Sequence, residues 1–412
     1  MLNLFIFKVS SRATQYGIGT YIRELIGSLL KSDKIRITLV SYRSSDFKEV
    51  TFREVSEGFY LLDIPEVFIH PIQNKVNEAK YANVAVRILS EYIPIRGNVI
   101  FQMNYMDDLQ LAKKLKEQYP YPIISVVHTA LYQQLFEGNI KNITGLNIDC
   151  PTNNYEYTLS LEKEFYSISS QVVSVTSYMK DFLVQYYHIN PEKISIIHNG
   201  IDYKQYKKTE ENERLQLRNK LGFHKNDVII LFSGRIDRCK GVDFLLESFQ
   251  AACLQIKNLR LVLLGNGDIK KYQLVLKSDN SNVTFTGFLN KEQVNFFYKI
   301  SDLGIVPSIY DHCPYTVLEM IANRLPIIMS RIPGLNEMLN DFECLFTDPI
   351  IGLNGEIVIN IEELTGLIVH LAQNADLRQQ LAAKSYEKLK KRFTSEIMSD
   401  SMKAIFDILC KI

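Results

Sequence analysis

The chain has 412 residues, of which 46% are apolar and 23% charged, and its formal net charge is +1. That length suits two domains of roughly 200 residues each, and the composition is that of a globular protein, neither disordered nor fibrous. A charge balance this close to zero gives no electrostatic case for nucleic acid as a partner. The cysteines Cys150, Cys239, Cys253, Cys313, Cys344 and Cys410 are scattered without a Cys-x-x-Cys pair, so neither a zinc site nor a disulfide framework is indicated. A reducing compartment is expected.

In chain order, Leu2 to Phe7 reads as a strand. This run is too short for a secretory leader, and its basic neighbours Lys8 and Arg12 follow it where a leader would place them before. No segment reaches the ~18 consecutive apolar residues of a membrane span. A cytoplasmic protein is predicted, with peripheral membrane contact left open. Tyr21 to Leu30 reads as a helix with its apolar face at i, i+4 and i+8. Ile35 to Val40, Val99 to Met103, Ile123 to Val127, Gln171 to Val175 and Ile194 to Ile197 read as strands, with helices at Asp107 to Gln118 and Ser177 to Tyr187.

The stretch Asp202 to Asp227 is dense in Lys, Glu, Asn and Arg, with only a short apolar pattern from Leu215 to Leu221. It predicts a linker with a solvated helix, next to the domain boundary. The strand–helix alternation then restarts. Strands are expected at Val228 to Phe232, Leu259 to Leu264, Val283 to Thr286, Leu303 to Val306 and Pro326 to Met329, and helices at Val242 to Ile256 and Tyr315 to Ala322. The expected architecture is α/β, two doubly wound halves with a cleft between them where strand carboxyl ends face a ligand.

Two blocks carry chemistry. In Phe232-Ser-Gly-Arg-Ile-Asp-Arg-Cys-Lys-Gly-Val-Asp243 a strand enters a loop with Gly234, Gly241, Arg235 and Lys240, and then a helix. Glycines let backbone approach a ligand, and two cations on one loop suit a diphosphate. The plainer alternative is a strand–helix turn with two solvated bases. In Pro307-Ser-Ile-Tyr-Asp-His-Cys-Pro-Tyr-Thr-Val-Leu-Glu-Met-Ile-Ala322, Asp311 lies in the loop and Glu319 about one turn into the helix. There a helix N-terminus favours phosphate and a carboxylate can accept ribose hydroxyl protons. The alternative is an acidic first turn that merely complements the helix dipole.

Together these blocks resemble the donor-binding domain of the retaining glycosyltransferases of family 4, or group 1, which have two Rossmann-like domains (the GT-B fold). Further motifs follow in the family's order: Gly17-Ile-Gly19, His128, Ile197-His-Asn-Gly-Ile-Asp202, Leu264-Gly-Asn-Gly267 and Phe285-Thr-Gly-Phe288. The resemblance covers nearly the whole chain and is tightest from Val228 to Met338.

It implies an acceptor-side domain over residues 1–200 and a nucleotide-sugar domain over residues 201–384, and the amphipathic pattern Phe393, Ile397, Met402, Ile405, Phe406 and Leu409 predicts that the tail over residues 385–412 crosses back onto the first. Arg235 and Lys240 would bind the donor diphosphate and stabilise the leaving nucleotide, so no metal and no other cofactor is expected. No Asp-x-Asp motif suggests otherwise, since Asp107 and Asp108 are adjacent and look like a helix start. Glu319 would hold the ribose and Asp311 the donor sugar. Main-chain N–H groups of Tyr315, Thr316 and Val317 would face the phosphates, and main chain near Phe288 the base. Gly17 and Gly19 would let the N-terminal loop close on the donor. His128 would hydrogen-bond at the reaction centre, and Asn199, Gly234, Gly265 and Pro314 complete the donor-binding set. His198 is expected to support its turn and His312 to lie beside the sugar pocket.

Two positions depart from the family's pattern. Asp311 stands where many members have Glu, and Cys313-Pro314-Tyr315 resembles the subgroup with Phe-Pro-Asn, where proline removes a backbone donor. The expected activity is metal-independent transfer of a hexose-type sugar, with retention, from a UDP- or GDP-type donor. The expected acceptor is a hydroxyl of a glycan, lipid-linked glycan or peptide. The alternatives are an inactive nucleotide-sugar-binding subunit, favoured only by Asp311, and a phosphorylase or a nucleotide-sugar epimerase; for the phosphorylase no pyridoxal-phosphate lysine context is found.

Overall fold

The computed structural model describes residues 1–9, 17–44, 48–66, 75–276 and 281–410. The chain forms two compact units, one of Met1–Leu131, Gly145–Gly200 and Ser395–Ile412, the other of Tyr132–Thr144 and Ile201–Thr394.

The first unit is built on strands β1 (Leu2–Val9), β2 (Ile35–Ser44), β3 (Thr51–Ser56), β4 (Phe59–Pro65), β5 (Asn98–Met103), β6 (Ile123–Val127), β7 (Gln171–Ser174) and β8 (Ile194–Ile196). They lie in the order β3-β4-β2-β1-β5-β6-β7-β8. Every pairing is parallel except β3 with β4. β6 is buried at all of its positions, as parallel strands covered on both faces are. The edge strand β3 is exposed nearly throughout, so it carries no apolar alternation for sequence reading to detect. The helix Ser177–Tyr187 starts where Thr176 accepts the N–H of Met179, and Asn153 likewise caps Asn154–Ile168.

The second unit carries β9 (Val228–Ser233), β10 (Leu259–Leu264), β11 (Val283–Gly287), β12 (Leu303–Val306), β13 (Ile327–Ser330) and β14 (Leu345–Thr347). Their order is β11-β10-β9-β12-β13-β14, and all pairs are parallel. This is a doubly wound sheet whose order reverses between β9 and β12, and such a reversal leaves a crevice at the strand carboxyl ends. Phe232, Leu245, Phe249, Leu261, Leu263 and Ile305 lie in its core. A short antiparallel pair, β15 (Pro349–Ile351) and β16 (Ile357–Ile359), follows.

The predicted strands Ile123 to Val127, Leu259 to Leu264 and Leu303 to Val306 have the observed limits, as do the helices Ser177–Tyr187 and Tyr315–Ala322. The helix expected from Asp107 begins instead with a tight turn at Met106–Asp108 and continues over Leu109–Gln118. The stretch after Asp202 is no free linker. Its helix Glu211–Lys220 is docked by Arg218, only 3% exposed, which pairs with Asp302 at 2.7 Å and donates to the carbonyls of Ile300 and Asp227. Arg214 reaches the same carboxylate at 2.5 Å. Charged residues here are buried by pairing, which a hydropathy pattern cannot register.

The unit boundaries also differ from the expected ones. The return to the first unit starts at Ser395, later than 385, because Ala375–Arg392 is one continuous helix with Leu381, Ser385 and Leu389 buried. The last helix, Ser395–Cys410, buries Met398, Met402, Ile405 and Phe406, and its Ser399 hydroxyl meets that of Ser28 at 2.7 Å. Ile397, expected on its apolar face, is exposed. Residues 411–412 of the expected tail lie outside the described residues. Tyr132–Thr144, expected in the first half, belongs to the second unit. There Asn139 donates to the carbonyl of Asn354 at 2.8 Å, and Lys141 to that of Leu353 at 3.2 Å.

Candidate functional site

Two loops leave the sheet of the second unit where its order reverses, one after β9 and one after β12. The loop after β9 is laced to the loop after β10. Gly234 N–H donates to the Leu264 carbonyl at 2.9 Å and Ile236 N–H to that of Asn266 at 2.8 Å. Gly265 permits this approach, since a Cβ there would collide with the Gly234 carbonyl. Asp237 then caps the tight turn Arg238–Lys240 by accepting the Lys240 N–H at 3.0 Å. Gly241, left-handed at φ 71°, opens the helix Val242–Gln255, and a side chain there would strike the Pro307 carbonyl. Ile309 N–H, donating to the Cys239 carbonyl at 3.0 Å, ties this loop to the one after β12.

This lacing brings Lys240 and Asp311 together. Lys240 Nζ lies 2.6 Å from Asp311 Oδ2, with the side chains 22% and 13% exposed. Asp311 also accepts from the Ser308 hydroxyl at 3.2 Å and from the His312 N–H at 3.1 Å. Arg235 stands apart from that pair, 53% exposed and 3.3 Å from Asp237. The helix Tyr315–Ala322 begins at Pro314, after Cys313 in a left-handed turn at φ 45°. Of the three main-chain donors expected to face phosphate, Val317 N–H is engaged by the Pro314 carbonyl at 3.1 Å. The first turn at Tyr315 and Thr316 lies at a helix N-terminus, a position that suits an anion. One turn further in, Glu319 Oε2 accepts from the hydroxyl of the buried Tyr298 at 3.0 Å. Phe288 is exposed just after β11, at the same carboxyl edge of the sheet.

His312, expected beside the sugar pocket, adjoins Asp311 and donates its N–H to that carboxylate. It is buried, and its Nε2 is 2.8 Å from Oε1 of the buried Gln133. Burial pushes its pKa down to about 4, so the imidazole is neutral at neutral pH.

Gly17, Gly19, His128 and Asn199 belong to the first unit. His128 follows β6 directly, and its ring meets Tyr21 edge-on at 4.7 Å between centroids. Burial pushes its pKa down to about 3, and its Nε2 has no hydrogen-bond partner among the described residues. It is a neutral group, suited to hydrogen bonding and not to ion pairing. Gly17 and Gly19 lie in the first turn of the helix Gly17–Leu29, and residues 10–16 before them lie outside the described residues. Asn199 is buried after β8, and His198 Nδ1 contacts the Val175 carbonyl at 2.9 Å, which supports the turn.

Sequence reasoning missed Tyr298, Ser308 and Gln133. Ser308 sits three residues from Asp311 inside a block already singled out, and its hydroxyl was the available signal. Tyr298 and Gln133 carry no local signal, because each meets its partner only through the fold.

A family model for group 1 glycosyl transferases matches residues 213–388, and one for glycosyltransferase family 4 matches residues 16–205. An uncharacterized glycosyltransferase of Methanocaldococcus jannaschii is 28% identical over 178 residues, 42% of this chain and 45% of that protein. The matched stretch thus spans about half the length of that relative, as it does for others, with 52% and 49% of their lengths. Sucrose-phosphate synthase from Thermosynechococcus elongatus superposes with a TM-score of 0.75 at 17% identity, over 99% of both chains. The Anabaena protein HepE, solved in complex with UDP-glucose, gives a TM-score of 0.73 at 16% identity, covering 98% of this chain and 99% of that one. Two family models in succession, a shared two-domain architecture and motifs at the reversal point of a doubly wound sheet agree: the chain belongs to the group 1 glycosyltransferases of family 4 and has their GT-B fold.

Proposed function

We propose that the protein transfers a hexose-type sugar from a nucleoside-diphosphate donor to an acceptor hydroxyl, with retention of anomeric configuration and without a metal ion. The observation that carries this reading is the placement of Arg235, Lys240, Asp311 and Glu319 on two laced loops and the helix that follows them, at the reversal point of one sheet. The second unit then binds the donor, and the first carries the acceptor side. Glu319 holds the ribose, Arg235, Lys240 and the first turn of Tyr315–Ala322 hold the diphosphate, and Asp311 reads the sugar. HepE, whose structure holds UDP-glucose, supports a donor of the UDP type, with GDP as the second candidate. The acceptor is a glycan, a lipid-linked glycan or a peptide. A cytoplasmic location goes with this reading, in keeping with six free thiols.

In the transfer the bond from the anomeric carbon to the donor phosphate oxygen breaks, and a bond to the acceptor oxygen forms on the same face. The acceptor proton passes to the departing phosphate oxygen. Negative charge grows on the diphosphate as the bond breaks, so fixed cations and helix N–H groups there stabilise the transition state more than the ground state. Neutral His128 donates a hydrogen bond near the reacting sugar.

The test is a thermal-shift panel of UDP, GDP, ADP and their common sugars, followed by turnover with simple acceptors and assignment of the product anomer by NMR. A ligand at ~100 times its dissociation constant adds about 2.7 kcal/mol of stability, which such a panel detects. Stabilisation by a nucleotide sugar with no release of nucleotide would favour an inactive binding subunit, and an inverted product would overturn retention.

A further inference from the structure

We propose that Tyr298 is a positioning residue for the donor's ribose, acting through Glu319. The proposal rests on the donor-site reading above and extends it to a residue outside the motifs.

Tyr298 lies in the last turn of the helix Lys291–Ile300, which starts at a reciprocal cap between Asn290 and Gln293. Its side chain is buried, and its hydroxyl donates to Glu319 Oε2 at 3.0 Å. Burial and the Glu319 carboxylate raise the phenol pKa well above its ordinary value, so it stays protonated and donates its single proton in one direction. A carboxylate held this way keeps one orientation. That is what recognition of a vicinal diol requires, because a misdirected acceptor loses both hydroxyls at once. A burial role alone would be served equally well by phenylalanine.

The experiment measures calorimetric binding of UDP, GDP and ADP, and for whichever binds, of its 2′,3′-dideoxy counterpart, to the whole chain. The wild-type protein should favour the ribonucleotide by about tenfold to a hundredfold, the range of one hydrogen bond to a charged group. Glu319→Gln should remove most of that preference. Tyr298→Phe should cut it several-fold while leaving dideoxynucleotide binding within about twofold, and the double variant should do no more than Glu319→Gln alone. Tyr298→Leu, which also removes the hydroxyl, should cut the preference in the same way and serves as the second variant should Tyr298→Phe not fold.

An equal loss for both nucleotides in Tyr298→Phe would mean a merely structural role and would overturn the proposal. So would an unchanged ribose preference in Tyr298→Phe beside its loss in Glu319→Gln. Should Glu319→Gln itself leave the preference intact, or should none of the three nucleotides bind, the donor-site reading would be the one that fails.

Discussion

The ion pair between Lys240 and Asp311 makes a prediction that runs against simple intuition about an acidic residue in a binding site. Lys240 Nζ is 2.6 Å from Asp311 Oδ2. The diphosphate of a donor would therefore compete with Asp311 for the same ammonium. At an effective dielectric of about 20, two unit charges ~4 Å apart interact by about 4 kcal/mol. Exposed pairs, by contrast, retain a net ~0.2–1 kcal/mol after desolvation and ordering. With 22% and 13% of the side chains exposed, this pair falls between the two, at about 1–2 kcal/mol. Asp311→Asn keeps the shape; its one amide oxygen can still accept from the His312 N–H at the Oδ1 position, while its NH2 takes the place of Oδ2 beside Lys240 and Ser308. It should tighten binding of the bare nucleoside diphosphate by about fivefold to thirtyfold. The same substitution should slow turnover of the complete donor by about a hundredfold, because a charged acceptor for the sugar hydroxyls is lost. Calorimetry with bare nucleotide, beside steady-state turnover, reads both quantities. If Asp311→Asn instead weakens bare-nucleotide binding as much as Lys240→Ala does, then Asp311 holds Lys240 in place for the phosphate, and the competition argument is refuted.

Arg235→Ala should lose ~1.5–3 kcal/mol of nucleoside-diphosphate binding, the worth of one hydrogen bond to a charged group, and a larger factor in kcat/KM as leaving-group charge builds; equal losses in both would argue that Arg235 acts only in binding. Turnover should survive EDTA, and full loss restored by Mg²⁺ or Mn²⁺ would remove the metal-independent part of the proposal. His128, held at a pKa of about 3, should contribute no inflection to kcat/KM between pH 6 and 8, so an inflection there that vanishes in His128→Asn would contradict its neutral role. Burial raises Glu162 from 4.5 to about 7 while Tyr187 and Tyr166 donate to it. Its stabilising share is therefore complete below pH ~4.5 and lost as pH rises through about 7. Relative to Glu162→Gln, the wild-type chain should lose about 3 kcal/mol across that window, read as a pH-dependent gap in chemical-denaturation stability. A gap that stays constant with pH would refute it.

The sequence alone determined whatever depends on short stretches of backbone. Alternating apolar runs and amphipathic helices announced two doubly wound halves. Glycines and cations within Ser233–Gly241, and the proline-led helix start at Pro314, announced loops that suit an anion, because turn geometry is set by residues a few positions apart. Other features belong to the tertiary structure. Lys240 meets Asp311 from 71 residues away, and His312 meets Gln133 from 179. Glu319 receives the Tyr298 hydroxyl across 21 residues and a strand. Arg218 looked like a solvated linker charge, yet Asp302, 84 residues on, turns it into a buried strut. The same limit applied to the last helix, where the apolar pattern was legible but the point at which the chain leaves its second unit was not. Periodicity reports that a face is apolar. Which partner covers it, and which lone pair or charge meets a given polar group, is decided only when distant segments pack and buried groups must satisfy one another.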